Sequence, residues 1–126
     1  MRQVIFVFMA ILMAAGMVSA QEVAVMAIEE TSYDFGEIKE AGEKVSHTFK
    51  VVNKGDAPLV ITRVIPSCGC TTPEWTKEPI APGASGEVTV TFDPKGRPLG
   101  PFVKNVSIYS NGKKGSFILT IRGDVK

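Results

Sequence analysis

Cysteine occurs only twice in the 126-residue chain, at Cys68 and Cys70, with Gly69 between them. The segment Ser67-Cys68-Gly69-Cys70-Thr71 is therefore where thiol chemistry has to be sought, and three arrangements suit its spacing. In the first, both sulfurs belong to the fold, either as a local disulfide or as thiols packed like small hydrophobes. A bridge across one residue closes so small a loop that the entropic gain is about 1.5 kcal/mol before strain is subtracted. Residues two apart on an extended strand sit near the upper limit of Cα separation for a bridge, so Gly69 has to bend the chain. Such a bridge is a poor staple and an easily reduced one. That weakness motivates the second arrangement, a redox-active pair exchanging with partner thiols. The third is soft-metal capture. Two thiolates one residue apart on a bent loop suit Cu(I) in near-linear coordination, with His47 as a further ligand. Zinc fits less well, because it wants four ligands and the chain has no C-x-x-C pair and no second histidine.

Few other residues invite chemistry. His47 is the only histidine, hence the only candidate base for a catalytic thiol. It shares a strand face with Val45 and Phe49, which suits a partly buried, hydrogen-bonded ring as well as a ligand. Trp75, the sole tryptophan, lies beside Pro73 and Glu74, either as an interaction aromatic or as a lid over one end of the core. No catalytic residues are assigned. The acidic residues are scattered, and neither a phosphate-binding glycine loop nor a serine-nucleophile motif occurs. No cofactor is expected.

The chain's beginning sets the compartment in which these thiols would work. Arg2 is followed by an apolar run from Val4 to Ala15, and Val18-Ser19-Ala20 supplies small residues at a cleavage position. This three-part pattern predicts a signal peptide over residues 1–20, cut after Ala20, and export to the periplasm or the medium. The run is short of the ~20 apolar residues that span a bilayer, so no stable membrane insertion is expected after cleavage. Export also places Cys68 and Cys70 where disulfides persist. Arg2 is the only charged residue of the first twenty, so residues 21–126 carry thirteen basic and thirteen acidic side chains. A neutral surface without a basic stripe argues against a nucleic-acid partner.

Residues 21–126 suit one domain, and their patterning has period two. Val25 to Glu30 reads as a first strand, and Tyr33-Asp34-Phe35-Gly36 as a short edge segment ending in a turn. After a polar turn at Lys39 to Lys44, Val45 to Val51 alternates apolar with polar. Asn53 to Pro58 is dense turn chemistry. Leu59 to Ile65 has apolar residues on both faces and is predicted to be central, with Leu59, Ile61 and Arg63 on one face. Pro66 to Pro82 holds five ladder-breaking residues and reads as an irregular crossover. Gly86 to Phe92 alternates with Val88, Val90 and Phe92 inward. Beyond the Gly/Pro-rich stretch from Asp93 to Pro101, Phe102 to Ser110 and Ser116 to Arg122 form a hairpin across Asn111-Gly112-Lys113-Lys114-Gly115, with Phe117, Leu119 and Ile121 against Val106 and Ile108. About seven short strands on a hundred residues predict an all-β, immunoglobulin-like antiparallel sandwich, with Val25 to Glu30 and Ser116 to Arg122 as candidate edges.

Several short segments carry a resemblance. Tyr33-Asp34-Phe35-Gly36-Glu37-Ile38, Phe49 to Gly55, Pro58-Leu59-Val60-Ile61, Ser67 to Thr71 and Pro82-Gly83 follow one another as in the bacterial domain of unknown function 1573 family. The resemblance covers about Ile28 to Val125. It implies an exported immunoglobulin-like sandwich akin to major-sperm-protein and Hydin-type domains, and it implies no activity. The expected role is a binding or assembly module that engages another envelope or extracellular protein. The thiol-redox or Cu(I) reading of the C-G-C loop stands as the alternative.

Overall fold

The computed structural model describes residues 22–126; the expected signal peptide over residues 1–20 lies outside them. Among the described residues, eight strands form two four-stranded sheets. They are β1 (Met26–Ala27), β2 (Ser32–Ile38), β3 (Val45–Asn53), β4 (Ile61–Pro66), β5 (Thr71–Trp75), β6 (Ser85–Phe92), β7 (Gly100–Ser110) and β8 (Ser116–Val125). The first sheet has the order β1-β3-β6-β5 and the second β2-β8-β7-β4. The all-β sandwich expected from the patterning is what the chain forms.

Alternation explains the centre of each sheet. In β3, Phe49 and Val51 are buried while Ser46, Thr48 and Lys50 face water. In β6, Val88, Val90 and Phe92 are buried. Leu119 and Ile121 of β8 meet Val106 and Ile108 of β7 in the same core, as the hairpin predicts; Phe117 is only partly buried. Burying each such aliphatic or aromatic side chain contributes roughly 1.5–3 kcal/mol, so these interdigitating rows hold the two sheets together.

The edges depart from expectation. Of Val25 to Glu30, only Met26 and Ala27 pair, with Asn53 and Val52. The chain then switches sheets, and the Tyr33–Gly36 segment lengthens into β2, which runs parallel to β8 with a register shift between Asp34 and Glu37. The second sheet is thus mixed rather than wholly antiparallel, and β8 is not an edge: it lies between β2 and β7. The expected central strand Leu59 to Ile65 is instead the edge strand β4, paired among the described residues with β7 alone. A register shift between Ile61 and Arg63 breaks its alternation, so Ile61 and Val64 both point inward and Arg63 turns out over the Tyr109 ring, 4.3 Å from its centroid. That irregularity, not central placement, puts apolar residues at both parities. The supposed crossover Pro66 to Pro82 contains β5, antiparallel to β6, with Pro73 inside it. A proline is tolerated there because β5 is an edge and its missing donor faces away from the ladder.

The turn after β3 is held by one buried amide. Asn53 is fully buried; its Nδ2 donates to the carbonyls of Ala57 (2.7 Å) and Ile80 (2.9 Å), and its Oδ1 accepts from the N–H groups of Gly55 (2.9 Å) and Val25 (3.3 Å). A Cβ on Gly55 would sit 2.2 Å from the carbonyl oxygen of Val23, so the third position of this Asn-Lys-Gly turn has room for no side chain. The N-terminal segment, the turn and the β5–β6 connection are therefore tied at one point.

Candidate functional site

The Cys68–Cys70 turn is the link by which the chain leaves β4, at the edge of one sheet, and enters β5, at the edge of the other. Its ends are pinned. The Ser67 N–H donates to the Asn105 carbonyl (2.9 Å), the Asn105 N–H returns a bond to Ser67 Oγ (3.1 Å), and the Asp93 N–H donates to the Cys70 carbonyl (3.0 Å). The Thr71 N–H closes the turn on the Cys68 carbonyl at 3.1 Å. This bend brings the two Cα atoms to 5.2 Å, and the cysteines form a disulfide. Gly69 is exposed, its φ is not in the left-handed region, and an added Cβ would meet nothing within 4 Å.

The two sulfurs have different surroundings. Cys70 is buried, with Thr71 Oγ1 3.7 Å from its Sγ. Cys68 is half-buried; the Cys70 N–H points at its Sγ (3.2 Å) and the Arg97 guanidinium approaches it at 3.9 Å.

His47 is placed elsewhere in the contact network. Its Nε2 meets the carboxylate of Glu30, its ring stacks on Tyr33 with centroids 3.7 Å apart, and Phe49 meets it edge-on at 4.8 Å. Among the described residues no three His, Cys, Asp or Glu side chains converge in a metal-binding group, so Cys68, Cys70 and His47 are not assembled as a ligand set. Trp75 lies on β5, partly buried against the core, with the Lys77 ammonium 3.2 Å from its ring centroid.

A second feature was not singled out from the sequence. Ile65 of β4 pairs with Ser107 of β7, and Ser107 pairs with Ile118 of β8, so the three side chains form one row on the solvent face of the second sheet. Ile65 and Ile118 are 45% and 60% exposed, and Val103, on the same face of β7, is 59% exposed. The signal for it was in the sequence: Phe117-Ile118-Leu119 interrupts period-two alternation with an apolar residue at an outward position.

Solved structures of similar fold support the architecture. A protein of unknown function from Porphyromonas gingivalis W83 superposes with a TM-score of 0.69 at 20% identity, covering 80% of this chain and 46% of that one. PapD-like domain 7 of human CEP192, an ASH/PapD-like domain, gives 0.61 at 12% identity, with 82% and 87% covered. The YadV chaperone gives 0.53 at 15%, with 80% and 51% covered. Identities this low speak for the fold alone, and the chain spans less than half of the Porphyromonas protein. Among curated proteins, none matches the chain. The family model for proteins of unknown function DUF1573 matches residues 26–125, and the chain belongs to that family.

Proposed function

We propose that this domain is a protein-binding or assembly module of the bacterial cell envelope, exported by a leader cut after Ala20, and that an extended strand of its partner adds to β4. The observation that carries the reading is the exposed row Ile65–Ser107–Ile118, which begins at that edge strand. Ile65 and Ile118 flank Ser107 next to an unpaired sheet edge, where an added strand would cover them. β4 has a strand partner on one side only, and Arg63 to Pro66 run in register with β7. The other edges suit a partner less well. β1 has two residues, the irregularity of β2 falls in mid-strand between Asp34 and Glu37, and Pro73 sits in the middle of β5, whereas the register shift and the proline of β4 lie towards its two ends, at Ile61–Arg63 and Pro66. A strand laid against β4 gains main-chain hydrogen bonds and sets its own side chains beside Ile65, extending the apolar row. Strand addition is the mode of chaperone–pilin complexes, and the fold likeness to the YadV chaperone is in keeping with it.

The test uses Ile65→Glu and Ile118→Glu in co-purification from envelope extract after reversible crosslinking. Each charge is expected to lower recovery of the wild-type partner by about tenfold or more, as for an interface anchor. Both sites are exposed, so thermal unfolding is expected to stay near wild type. Recovery of the same partner at the same yield by both variants contradicts the proposal. So does failure of the wild type to capture any partner.

A further inference from the structure

The binding surface leaves the Cys68–Cys70 turn without a role, and a bridge across one residue closes too small a loop to serve as a structural staple. We infer that this disulfide is a thiol–disulfide exchange centre, with Cys68 as the sulfur attacked and a dithiol as the reductant it accepts. The argument rests on the asymmetry of the two sulfurs. Cys70 is buried, whereas Cys68 is half-buried beside an exposed glycine with no side chain to obstruct approach. An incoming thiolate therefore reaches Cys68 Sγ. The new S–S bond forms there, the Cys68–Cys70 bond breaks, and its electron pair leaves on Cys70 Sγ, which Thr71 Oγ1 is placed to receive with a hydrogen bond at 3.7 Å.

The second step returns the partner as a disulfide. The partner's other thiolate attacks its own sulfur in the mixed disulfide, and Cys68 departs with the electron pair. The Cys70 N–H (3.2 Å) and the Arg97 guanidinium (3.9 Å) both direct positive charge at the departing sulfur. Net, the partner dithiol is oxidised to a disulfide, Cys68 and Cys70 are reduced to two thiols, and the protons balance through solvent. A cation and an amide that stabilise the reduced form make a disulfide more oxidising, and a bridge across one residue gains little from loop closure. The pinned ends, Ser67 on Asn105 and Asp93 on Cys70, keep the turn in place when the bond opens. Nothing in this step requires the β4 surface, and the two proposals stand or fall separately.

The folded protein is equilibrated with a reduced/oxidised glutathione series and, in parallel, with a two-cysteine peptide, then acid-quenched, alkylated and read by mass spectrometry. The bridge is expected to open in the folded state at glutathione ratios that leave structural disulfides oxidised. Opening by the peptide as well identifies protein dithiols as substrates; opening by glutathione alone overturns the dithiol assignment. With oxidised glutathione, Cys70→Ser is expected to form the adduct on Cys68 at least about tenfold faster than Cys68→Ser forms it on Cys70. Arg97→Ala keeps both cysteines, and is expected to slow resolution of the mixed disulfide, the step in which Cys68 departs, by about threefold or more at low salt. A bridge that stays closed across the whole series, or equal adduct rates at the two sulfurs, overturns the assignment.

Discussion

Asn53→Ala is expected to destabilise the domain by roughly 3–5 kcal/mol in urea unfolding, out of all proportion to a change at the start of a turn. The amide makes four hydrogen bonds from a fully buried position, to Ala57, Ile80, Gly55 and Val25. Alanine removes all four bonds: the Ile80 carbonyl keeps the Leu59 N–H (2.9 Å), while the Ala57 carbonyl and the Gly55 and Val25 N–H groups, all partly buried, lose theirs, and each group left unpaired costs about 1–3 kcal/mol before relaxation lets water in. For a domain of this size the loss corresponds to a fall in Tm of about 15–25 °C. Asn111 is the internal control. It makes two comparable bonds, accepting from the Val60 N–H (2.8 Å) and donating to the Pro58 carbonyl (3.1 Å), but from an exposed position. Water replaces those bonds, and Asn111→Ala is expected to cost no more than about 1 kcal/mol. Equal effects at the two asparagines would show that burial is not what makes Asn53 critical.

The second large effect is expected at Phe92. Its ring is fully buried and stacks on Phe102 with centroids 4.2 Å apart and planes 9° from parallel. It also sits at the register position where β6 meets both Val45 of β3 and Thr71 of β5. Phe92→Ala removes a large side chain from between two sheets whose backbones cannot close the gap, at a cost of about 3–5 kcal/mol. Leucine at the same position keeps most of the volume and is expected to lose less than half of that, as measured by the same unfolding curves. Combined with Asn53→Ala, the total approaches the 5–15 kcal/mol that typically separates folded from unfolded domains, and the double variant is expected not to fold.

The parts of the fold that could be read in the sequence are those set by neighbours along the chain. Val88-Thr89-Val90-Thr91-Phe92 alternates because one face of β6 is buried, and the β7–β8 hairpin is marked by its own turn. What escaped depends on residues far apart. The switch of sheets between β1 and β2, which covers β8 with a parallel strand, joins Tyr33 to Ile121. Period-two patterning carries no information about such a pairing. β5 was hidden by Pro73, a strand breaker everywhere except at an edge. Asn53 has the composition of a solvated turn, and only its tertiary partners make it a core residue.

The candidate site divides in the same way. The importance of Cys68 and Cys70 was plain from their spacing, and a local bridge was among the arrangements the spacing allows. Arg97, which distinguishes one sulfur from the other, comes from twenty-nine residues away. His47 turned out to be engaged by Glu30 and Tyr33 from the N-terminal segment, a contact that strand alternation cannot foresee.

The central claim, that the β4 side of the second sheet is where a partner binds, is tested most directly by photocrosslinking in the producing cell. A photoreactive amino acid is placed at Ile65 or Ile118, and for comparison at Thr48 or Thr91, whose side chains face water on the first sheet. The account predicts one envelope-protein adduct shared by positions 65 and 118 and absent at 48 and 91. Adducts at 48 and 91 with none at 65 and 118, or no adduct at any of the four, would contradict it.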